Sequence, residues 1–466
     1  MALNGLGRHV VLIGFMGAGK TTLGRDAAVR LGREFLDLDR AIEERSGKTI
    51  PELFEERGEQ GFRELERHAA QMALSSTEPL VLSLGGGAIL STETRKLLDD
   101  AFVVQVEIDA DTAWERVRRN DRRPLARDQA SFRRLYAERE PLYREVADAV
   151  AADTAAVVLA AGGVHCERGG LDRLGELVPG EGAVALVVDR IVMGIYGARA
   201  QEALGSRLST VHELPAGEEA KAVAVVNRLW RELRLDRTGT VVALGGGCTT
   251  DVAGFAAASY LRGVPWVSVP TTLVGQVDAG IGGKTGIDIP EGKNLVGAFH
   301  WPARVVIDEA LLETLPERER KQGMAELVKT RLLASRNLDV RGAAAYKTGL
   351  CLQDPHDRGP RRWLNLGHTF AHALEAAADY DLPHGEAVAL GLLAALRLSG
   401  RDPTEVEREL QPQPVRVDPE RAWQAVLRDK KRTGDAINLV LLGADGPYVE
   451  PRPADEVRRE LDRLIA

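Results

Sequence analysis

The sequence predicts an α/β protein that begins with a parallel-sheet domain, continues with a second α/β domain and ends in an all-helical domain. Over the first 150 residues, short apolar runs alternate with helical patterns, and this alternation restarts at Ala183. After about residue 310 the pattern becomes almost wholly helical. The predicted domains therefore cover residues 1–152, 153–310 and 311–466.

The predicted elements of the two α/β domains follow one another as strand and helix. In the first domain they are strands at Val10–Ile13, Phe35–Leu38, Leu80–Leu84 and Val103–Ile108, and helices at Lys20–Leu31 and Tyr136–Val146. In the second domain, strands are predicted at Val184–Val188, Val241–Leu244 and Trp266–Val269. Strands that alternate with helices imply a parallel sheet.

The composition excludes several classes of function. The 466 residues are 44% hydrophobic and 28% charged, which suits a protein with more than one core. The net charge of −8 and the lack of a basic stripe argue against nucleic acid as a partner. Three widely spaced cysteines form no disulfide pattern or CxxC metal site. Without a recognisable signal peptide or spanning segment, we expect a cytoplasmic protein with no membrane partner.

A phosphate-binding loop joins the first predicted strand to the first predicted helix. The motif Gly14-x4-Gly19-Lys20-Thr21 follows a strand and opens a helix, which is the context it needs. Its glycines let backbone N–H groups wrap the phosphates, Lys20 reaches the β- and γ-oxygens, and the Thr21 hydroxyl binds Mg²⁺. The residues expected to bind the nucleotide are Gly17, Ala18, Gly19, Lys20, Thr21 and Thr22.

Polar residues near this loop indicate an acceptor for the phosphoryl group. Asp37 and Asp39 end the second predicted strand, and alternation places both carboxylates on one side, beside the loop. One of them can hold Mg²⁺ through water, and the other can accept a hydrogen bond from a substrate hydroxyl. Gly85-Gly86-Gly87 follows another strand and allows close approach of the backbone to a ligand.

Together these residues resemble shikimate kinase over about residues 8–150. The resemblance implies that shikimate is bound by Asp39, Arg63, Gly86, Gly87 and Arg139. Two arginines that clamp a carboxylate fit the bidentate geometry of the guanidinium group. The resemblance also implies that Thr21 and Asp37 hold magnesium.

The resemblance further implies a lid and a catalytic set for the kinase. Arg123 is expected on a lid that closes over ATP and stabilises the transferring phosphoryl group, and Arg119 is expected beside the adenine. Phosphoryl transfer rests mostly on positioning and charge neutralisation. The expected catalytic residues are therefore Lys20, Arg123 and Asp39, with Asp39 orienting or deprotonating the acceptor hydroxyl.

The rear of the chain combines a glycine turn, a lysine-rich stretch and a candidate metal site. The turn Gly245-Gly246-Gly247 follows a strand and precedes a helix, and the lysines of the segment 282–299 stand between glycines, which suggests an anionic ligand. Candidate metal ligands are Glu326, His368 and His384. Two imidazoles and a carboxylate suit a catalytic Zn²⁺, with Co²⁺ as an alternative. His372 shares a helix face with His368 at i, i+4.

These segments resemble 3-dehydroquinate synthase from about residue 155 to the C-terminus. The resemblance carries the zinc ligands Glu326, His368 and His384. It carries NAD contacts at Asp189, Glu218, Lys221, Gly245, Gly246, Gly247, Asp251, Thr271, Thr272 and Lys293. It carries contacts with a heptulosonate phosphate at Arg262, Asp278, Lys284, Asn294, Lys329, Lys347, Arg361, Asn365, His372, Lys430 and Lys431. Of these, Lys284, Lys329 and His372 are expected to be catalytic.

The two resemblances together imply a bifunctional enzyme of the shikimate pathway that acts on small molecules. In the implied synthase chemistry, NAD takes a hydride from a ring hydroxyl that zinc polarises, phosphate is eliminated, and the hydride returns before an aldol step closes the carbocycle. NAD is therefore recycled rather than consumed. A homodimer formed through the synthase region is left open.

Three alternatives remain open at this point. The rear half could be a sugar-phosphate cyclase of secondary metabolism, or a glycerol-dehydrogenase-like oxidoreductase that releases NADH in net turnover. One half could also be catalytically inactive, because only 21 positions separate Glu326 from Lys347, where the family has a longer helical insert. Further departures from the family pattern are Cys248, Thr250, Trp301 and Ala371.

Overall fold

The computed structural model describes residues 4–118, 128–428, 432–433 and 436–466. The chain divides into two compact units, Met1–Val164 and His165–Ala466. The predicted boundary between residues 152 and 153 precedes the helix Thr154–Ala161, which the structure includes in the first unit. This helix is tied there because Val157 and Val158 are fully buried and Ala161 O accepts a hydrogen bond of 2.7 Å from Gly5 N.

A five-stranded parallel sheet forms the centre of the first unit. Its strands are β1 Val10–Ile13, β2 Phe35–Asp37, β3 Val81–Ser83, β4 Phe102–Val106 and β5 Ala149–Ala151. Its helices are α1 Lys20–Leu31, α2 Leu38–Ser46, α3 Ile50–Leu74, α4 Thr92–Leu97, α5 Ala110–Val117, α6 Gln129–Val146 and α7 Thr154–Ala161. The strand order is β2-β3-β1-β4-β5. The central strand β1 is apolar at all four positions because both of its faces are covered.

A six-stranded sheet begins the second unit, in the order β6-β13-β10-β9-β7-β8. The strands are β6 Val164–Cys166, β7 Val184–Asp189, β8 Leu208–Leu214, β9 Thr240–Gly245, β10 Trp266–Pro270 and β13 Arg304–Ile307, with an antiparallel hairpin of β11 Lys284–Ile289 and β12 Gly292–Phe299. The helices are α8 Leu174–Leu177, α9 Arg190–Leu204, α10 Val223–Glu232 and α11 Gly247–Ser259. Because β7, β9 and β10 are parallel neighbours, their carboxyl ends share one edge.

The remainder of the second unit is helical, as predicted, with one small sheet that the sequence analysis did not foresee. The helices are α12 Glu317–Ala334, α13 Val340–Gln353, α14 His368–Ala377, α15 His384–Leu398, α16 Thr404–Leu410, α17 Pro419–Arg428 and α18 Ala454–Asp462. The antiparallel strands are β14 Arg432–Thr433, β15 Ala436–Gly443 and β16 Gly446–Pro453. Alternate residues of β15 are buried, which places one face of this sheet on the helical core.

The short connection between Glu326 and Lys347 is a tight turn between two helices. Helix α12 ends at Ala334, and Ser335 adopts a left-handed φ of 51° as its C-cap. Asp339 then caps α13, accepting a hydrogen bond of 2.7 Å from Gly342 N. Lys347 therefore lies in α13, facing back toward the sheet domain. In the part of the chain described here, no helix has the length and apolar character needed to cross a membrane.

Candidate active sites

The phosphate loop lies between β1 and α1 at the carboxyl edge of the first sheet. Gly14, Gly17 and Gly19 have φ values of 142°, 84° and 90°, a region that side chains disfavour. A Cβ on Gly14 would also lie 2.6 Å from Val106 O. The helix α1 begins at Lys20, so its free N–H groups point into the loop, which is the arrangement that binds an anion.

The charged side chains of the loop are held by nearby groups. Lys20 Nζ donates to Gly14 O at 2.8 Å and Phe15 O at 3.2 Å. Thr21 Oγ1 donates to Asp37 Oδ2 at 2.5 Å, which brings together the two residues predicted to hold magnesium. A hydroxyl and a carboxylate are oxygen donors that suit Mg²⁺. The predicted residue Thr22 is exposed in the first turn of α1.

The second strand is shorter than predicted, so a helix start, and not strand alternation, places Asp37 and Asp39 near each other. The strand β2 ends at Asp37, whose side chain caps α2 by accepting from Arg40 N at 3.3 Å. Asp39 lies in the first turn of that helix. Asp39 is therefore not part of the strand, as strand alternation had predicted, because a helix begins after Asp37. In the first turn of that helix, Asp39 still lies beside Gly85.

A buried carboxylate, Glu66, links the predicted acceptor residues and was not assigned a role from the sequence. Glu66 accepts a hydrogen bond of 2.6 Å from Arg63, three residues earlier on α3. A Cβ on Gly85 would lie 2.6 Å from both Asp39 Oδ1 and Glu66 Oε1, so the two carboxylates are close neighbours. Burial raises the pKa of Glu66 to about 7, with Asp39 adding to the shift and Arg63 opposing it. Its i, i+3 spacing from Arg63 was the available signal.

The glycine segment after β3 receives the second predicted arginine. Arg139 donates to Gly86 O at 3.3 Å, and Tyr143 donates to the same oxygen at 2.5 Å. A Cβ on Gly87 would collide with the guanidinium group of Arg63. The glycines thus let Arg63 and Arg139 approach one patch of backbone, as a clamp for a carboxylate requires.

The predicted lid residues Arg119 and Arg123 lie outside the described residues. Arg116, just before that segment, was not predicted as a site residue. Its Nη1 donates to Gly17 O at 3.1 Å, which places a guanidinium against the phosphate loop. The signal was its place in the arginine-rich run that begins at the end of α5.

The predicted NAD residues gather at the shared carboxyl edge of β7, β9 and β10. Asp189, at the end of β7, caps α9 and accepts from Thr249 Oγ1 at 3.3 Å. A Cβ on Gly245 would lie 2.9 Å from Asp189 Oδ2, and one on Gly246 would lie 3.1 Å from Thr272 Cγ2. Thr271 N donates to Gly245 O at 2.9 Å. This edge, with Gly247 opening α11, is where a dinucleotide binds in such sheets.

A cluster of charges extends this edge. Lys221 is buried and donates to Asp251 Oδ2 at 2.8 Å and to the side chain of Asn294. Glu218 lies 3.6 Å from Lys293 Nζ. Burial raises the pKa of Asp251 to about 6, and Lys221 opposes that shift. Asn294, predicted to contact substrate, thus lies with the residues predicted to contact NAD.

The three predicted metal ligands converge. Ligand atoms of Glu326, His368 and His384 all lie within 4.8 Å of one another. His384 Nε2 is 3.1 Å and His368 Nε2 is 3.4 Å from Glu326 Oε1. Both Nδ1 atoms face other acceptors, at Leu366 O and Glu375 Oε1. This donor set, with Nε2 of each histidine turned inward, fits Zn²⁺ or Co²⁺.

The electrostatics of this cluster reflect burial and close pairing. Burial opposes ionisation of Glu326, but Lys329 and the two histidines hold the pKa of its carboxyl well below the ordinary value. Burial also lowers the pKa of His368. For His384 the hydrogen bonds to Glu326 and Glu375 outweigh burial and raise the pKa to about 10. Without a metal, the ionised carboxylate of Glu326 is therefore balanced by Lys329 and by His384.

Two buried lysines lie next to the metal cluster. Lys347 Nζ donates to Asp278 Oδ1 at 2.7 Å and to Asp278 O at 2.6 Å. Lys329 forms an ion pair with Glu326 and lies 3.8 Å from Asp278 Oδ1. The short connection after α12 therefore still delivers Lys347 to the site. Two ammonium groups beside one carboxylate suit a phosphorylated, carboxylated substrate.

Lys284 and Arg361 occupy a second part of the predicted substrate region. Lys284 Nζ lies 2.6 Å from Asp357 Oδ2, and Asp357 is a residue that the sequence analysis missed. Arg361 is buried, and its guanidinium donates to Pro355 O at 3.0 Å and Gly282 O at 2.9 Å. Asp357 lies just before Arg361, in a segment with no contiguous motif, so only the fold reveals its contact.

Five predicted substrate residues remain: Arg262, Asn365, His372, Lys430 and Lys431. Arg262 is exposed, with a left-handed φ of 65°, and within the described residues it forms no hydrogen bond or ion pair. The side chain of Asn365 is half-buried, and within the described residues it also forms no hydrogen bond. His372 packs against His368, with ring centroids 5.4 Å apart. Lys430 and Lys431 lie outside the described residues.

Family comparisons agree with this architecture. The shikimate kinase family matches residues 16–161, and the N-terminal and C-terminal regions of 3-dehydroquinate synthase match residues 211–322 and 304–432. The bifunctional shikimate kinase/3-dehydroquinate synthase of Thermotoga maritima is 31% identical over 468 residues, covering 91% of this chain and 93% of the relative. The 3-dehydroquinate synthase of Latilactobacillus sakei is 39% identical over 313 residues, 60% of this chain and 88% of the relative.

A solved structure resembles the rear of the chain. A 2-deoxy-scyllo-inosose synthase bound to carbaglucose-6-phosphate, NAD⁺ and Co²⁺ has a TM-score of 0.58 and 25% identity, covering 64% of this chain and 96% of its own. The class defined by fold and site is thus a phosphate-loop kinase joined to a cyclase of the dehydroquinate synthase type. The chain belongs to the bifunctional shikimate kinase/3-dehydroquinate synthase family.

Proposed function

We propose that this chain catalyses two reactions of the shikimate pathway, one in each unit. The first unit phosphorylates shikimate at the expense of ATP. The second unit converts 3-deoxy-D-arabino-heptulosonate 7-phosphate into 3-dehydroquinate and phosphate. The observation that carries the proposal is that one chain holds two such sites. One is the phosphate loop with Asp39 and Arg63, and the other is the Glu326–His368–His384 cluster beside Lys329 and Lys347. Nothing in the comparisons favours the alternative functions.

In the kinase site, each side chain has a part in positioning or neutralising charge. The loop N–H groups and Lys20 hold the phosphates, and Thr21 with Asp37 would hold Mg²⁺. Arg63 and Arg139 bind the shikimate carboxylate. Asp39 then orients the acceptor hydroxyl and accepts its proton as the bond to the γ-phosphorus forms and the bond to the leaving ADP breaks.

In the synthase site, NAD would lie along the edge from Asp189 to Thr272, and Glu326, His368 and His384 would hold a zinc or cobalt ion. When bound, these groups supply reversible hydride exchange and polarisation of a substrate oxygen. The residues of this chain that would hold the substrate phosphate and carboxylate are Lys284, Lys329 and Lys347. His372 lies beside the metal cluster, where it can move a proton.

The proposal extends to partners and location. Both substrates are small molecules, and the net charge of −8 argues against nucleic acid as a partner. We place the enzyme in the cytoplasm and include a homodimer formed through residues 153–466 as part of the proposal. Sedimentation of the full chain at several concentrations would test the dimer.

Two separate assays test the two activities on the purified full chain. Shikimate with ATP and Mg²⁺ should yield ADP in proportion to shikimate. Heptulosonate phosphate with NAD and Zn²⁺ or Co²⁺ should release phosphate with no net NADH. Phosphate release matched by NADH would instead support an oxidoreductase. Failure of either assay under conditions in which the other succeeds would refute the bifunctional proposal.

A further inference from the structure

Helix α14 presents three polar side chains on one face. His368, His372 and Glu375 are spaced at i, i+4 and i+7, which aligns them along a helix. His368 and His372 were singled out from the sequence, whereas Glu375 was not. Its side chain is 13% exposed. An acidic group so well covered needs a partner, and its partner is His384 on α15.

The two histidines of the metal cluster are oriented by different groups. His368 is anchored through Nδ1 by the backbone carbonyl of Leu366, at 3.2 Å. His384 is anchored through Nδ1 by the carboxylate of Glu375, at 3.0 Å. The side chain of His384 is 40% exposed, against 10% for His368. His384, the more exposed of the two histidines, is thus the one whose Nδ1 contacts a carboxylate.

We propose that Glu375 is a positioning residue for the metal site, acting through His384 rather than on substrate. An ionised carboxylate can only accept a hydrogen bond, so Nδ1 of His384 must be the donor. When a cation is bound, this fixes the tautomer in which Nε2 offers its lone pair to the cation. The negative charge also makes the imidazole a stronger ligand. The inference rests on the proposed metal site.

The geometry separates this role from simple packing. Glu375 is seven residues from His368 on the same helix, and it reaches His384 across to α15, so it ties the two ligand-bearing helices at the level of the metal. Removal of such an outer hydrogen bond typically weakens metal binding by about 10–100-fold. The helices themselves are held by an apolar core that includes Phe370, Leu374 and Val388, which a substitution at residue 375 leaves intact.

The test measures metal affinity of the full chain by competition between the protein and a chromophoric chelator for Zn²⁺. Glu375→Gln keeps an acceptor for Nδ1 but loses the charge, and Glu375→Ala loses both. We expect the dissociation constant to rise in the order wild type, Gln variant, Ala variant, with about a 10–100-fold increase for Ala. Glu407→Gln, on the exposed side of α16, is the matched control and should bind Zn²⁺ as the wild type does.

A second readout uses Co²⁺, whose visible absorption reports ligand geometry. The Glu375→Ala variant should show an altered spectrum at saturating Co²⁺, while its metal-free melting temperature stays within a few degrees of the wild type. Equal Zn²⁺ affinities for wild type and Glu375→Gln together with an unchanged Co²⁺ spectrum would overturn the inference. Absence of stoichiometric Zn²⁺ binding by the wild type itself would overturn the proposed metal site and this inference with it.

Discussion

The two active sites differ in how their charged groups are paired before a ligand arrives. In the first unit, Lys20 donates to the carbonyls of its own loop, and Thr21 pairs with Asp37 close to solvent. In the second unit, Glu326 and Lys329 are both about 1% exposed and form an ion pair with each other. The kinase site is completed by its ligand, whereas the synthase site is a network of charges that balance one another.

This difference has a consequence for stability. Phosphates that replace the loop carbonyls around Lys20 exchange one part-buried set of hydrogen bonds for another, so we expect the fold to depend little on that lysine. A buried ion pair behaves differently, because removal of one partner leaves the other charged and unpaired in a medium of low dielectric. Activity and stability should therefore be separable at the phosphate loop and coupled at the metal cluster of the second unit.

Lys20→Ala should show the largest difference between its effect on activity and its effect on stability. Loss of the cation that is proposed to contact the transferring phosphoryl group should lower kinase kcat/KM by about 10³-fold. The free energy of unfolding should change by no more than about 0.5 kcal/mol, as for a surface substitution. Coupled detection of ADP measures the first quantity and hydrogen exchange at the β1 amides the second. Lys96→Ala, exposed on α4, is the control; a Lys20 variant with wild-type activity would contradict the assigned role.

The converse is expected for Lys329→Met in the second unit. Without metal, Glu326 would lose its ammonium partner but keep its contact with His384. The free energy of unfolding of this unit should therefore fall by about 3 kcal/mol, the lower end for a broken buried pair. Hydrogen exchange at the α15 amides in the presence of a chelator measures the change. Lys321→Met, 74% exposed on the same helix, should have no comparable effect. Equal protection of the α15 amides from exchange in Lys329→Met and Lys321→Met would mean that the Glu326–Lys329 pair does not stabilise the fold.

The sequence predicted the two sites to different depths for physical reasons. The phosphate loop is contiguous, so its strand, its turn and the helix Lys20–Leu31 could be predicted to the residue. The strand before Asp39 was overextended because an aspartate that caps a helix looks, in sequence, like the end of a strand. The small sheet β14–β16 was missed because β14 has only two residues and β16 contains three prolines.

The rear site depended on partners that only the fold brings together. Glu326, His368 and His384 lie on three helices, and their convergence was implied by resemblance rather than by spacing. Asp357 and Glu375 were missed because each contacts a site residue from another element, and neither belongs to a recognisable local motif. Sequence patterns reveal which residue types are present, but the pairing of buried charges is a property of the tertiary structure.

The first unit also contains a buried carboxylate, Glu66, whose burial is not fully offset by its ion pair with Arg63. The stability of this unit should therefore depend on pH. The pKa of Glu66, about 7, lies above its ordinary value of 4.5. The higher pKa in the folded state adds about 3 kcal/mol to the free energy of unfolding. This contribution is fully present below pH 4.5 and is lost as the pH rises through 7. Hydrogen exchange at the β1 amides should show this decline in the wild type but not in Glu66→Gln. Parallel pH profiles for the two proteins would show that Glu66 does not carry the effect.

The smallest effect is expected at Asp357, because the ion pair of Asp357 with Lys284 is more exposed than the pair of Glu326 with Lys329. The side chains of Lys284 and Asp357 are 47% and 22% exposed, so their ion pair is worth about 1 kcal/mol at most. Burial lowers the pKa of Lys284, and Asp357 opposes that shift. In Asp357→Asn, Lys284 should therefore lose its proton at a lower pH than in the wild type. The alkaline limb of synthase kcat/KM should move to lower pH, with up to about a fivefold loss along that limb. Asp379→Asn, which breaks an exposed pair with Arg421, should leave the profile unchanged. An alkaline limb that stays in place in Asp357→Asn would mean that Lys284 is kept charged by groups other than Asp357.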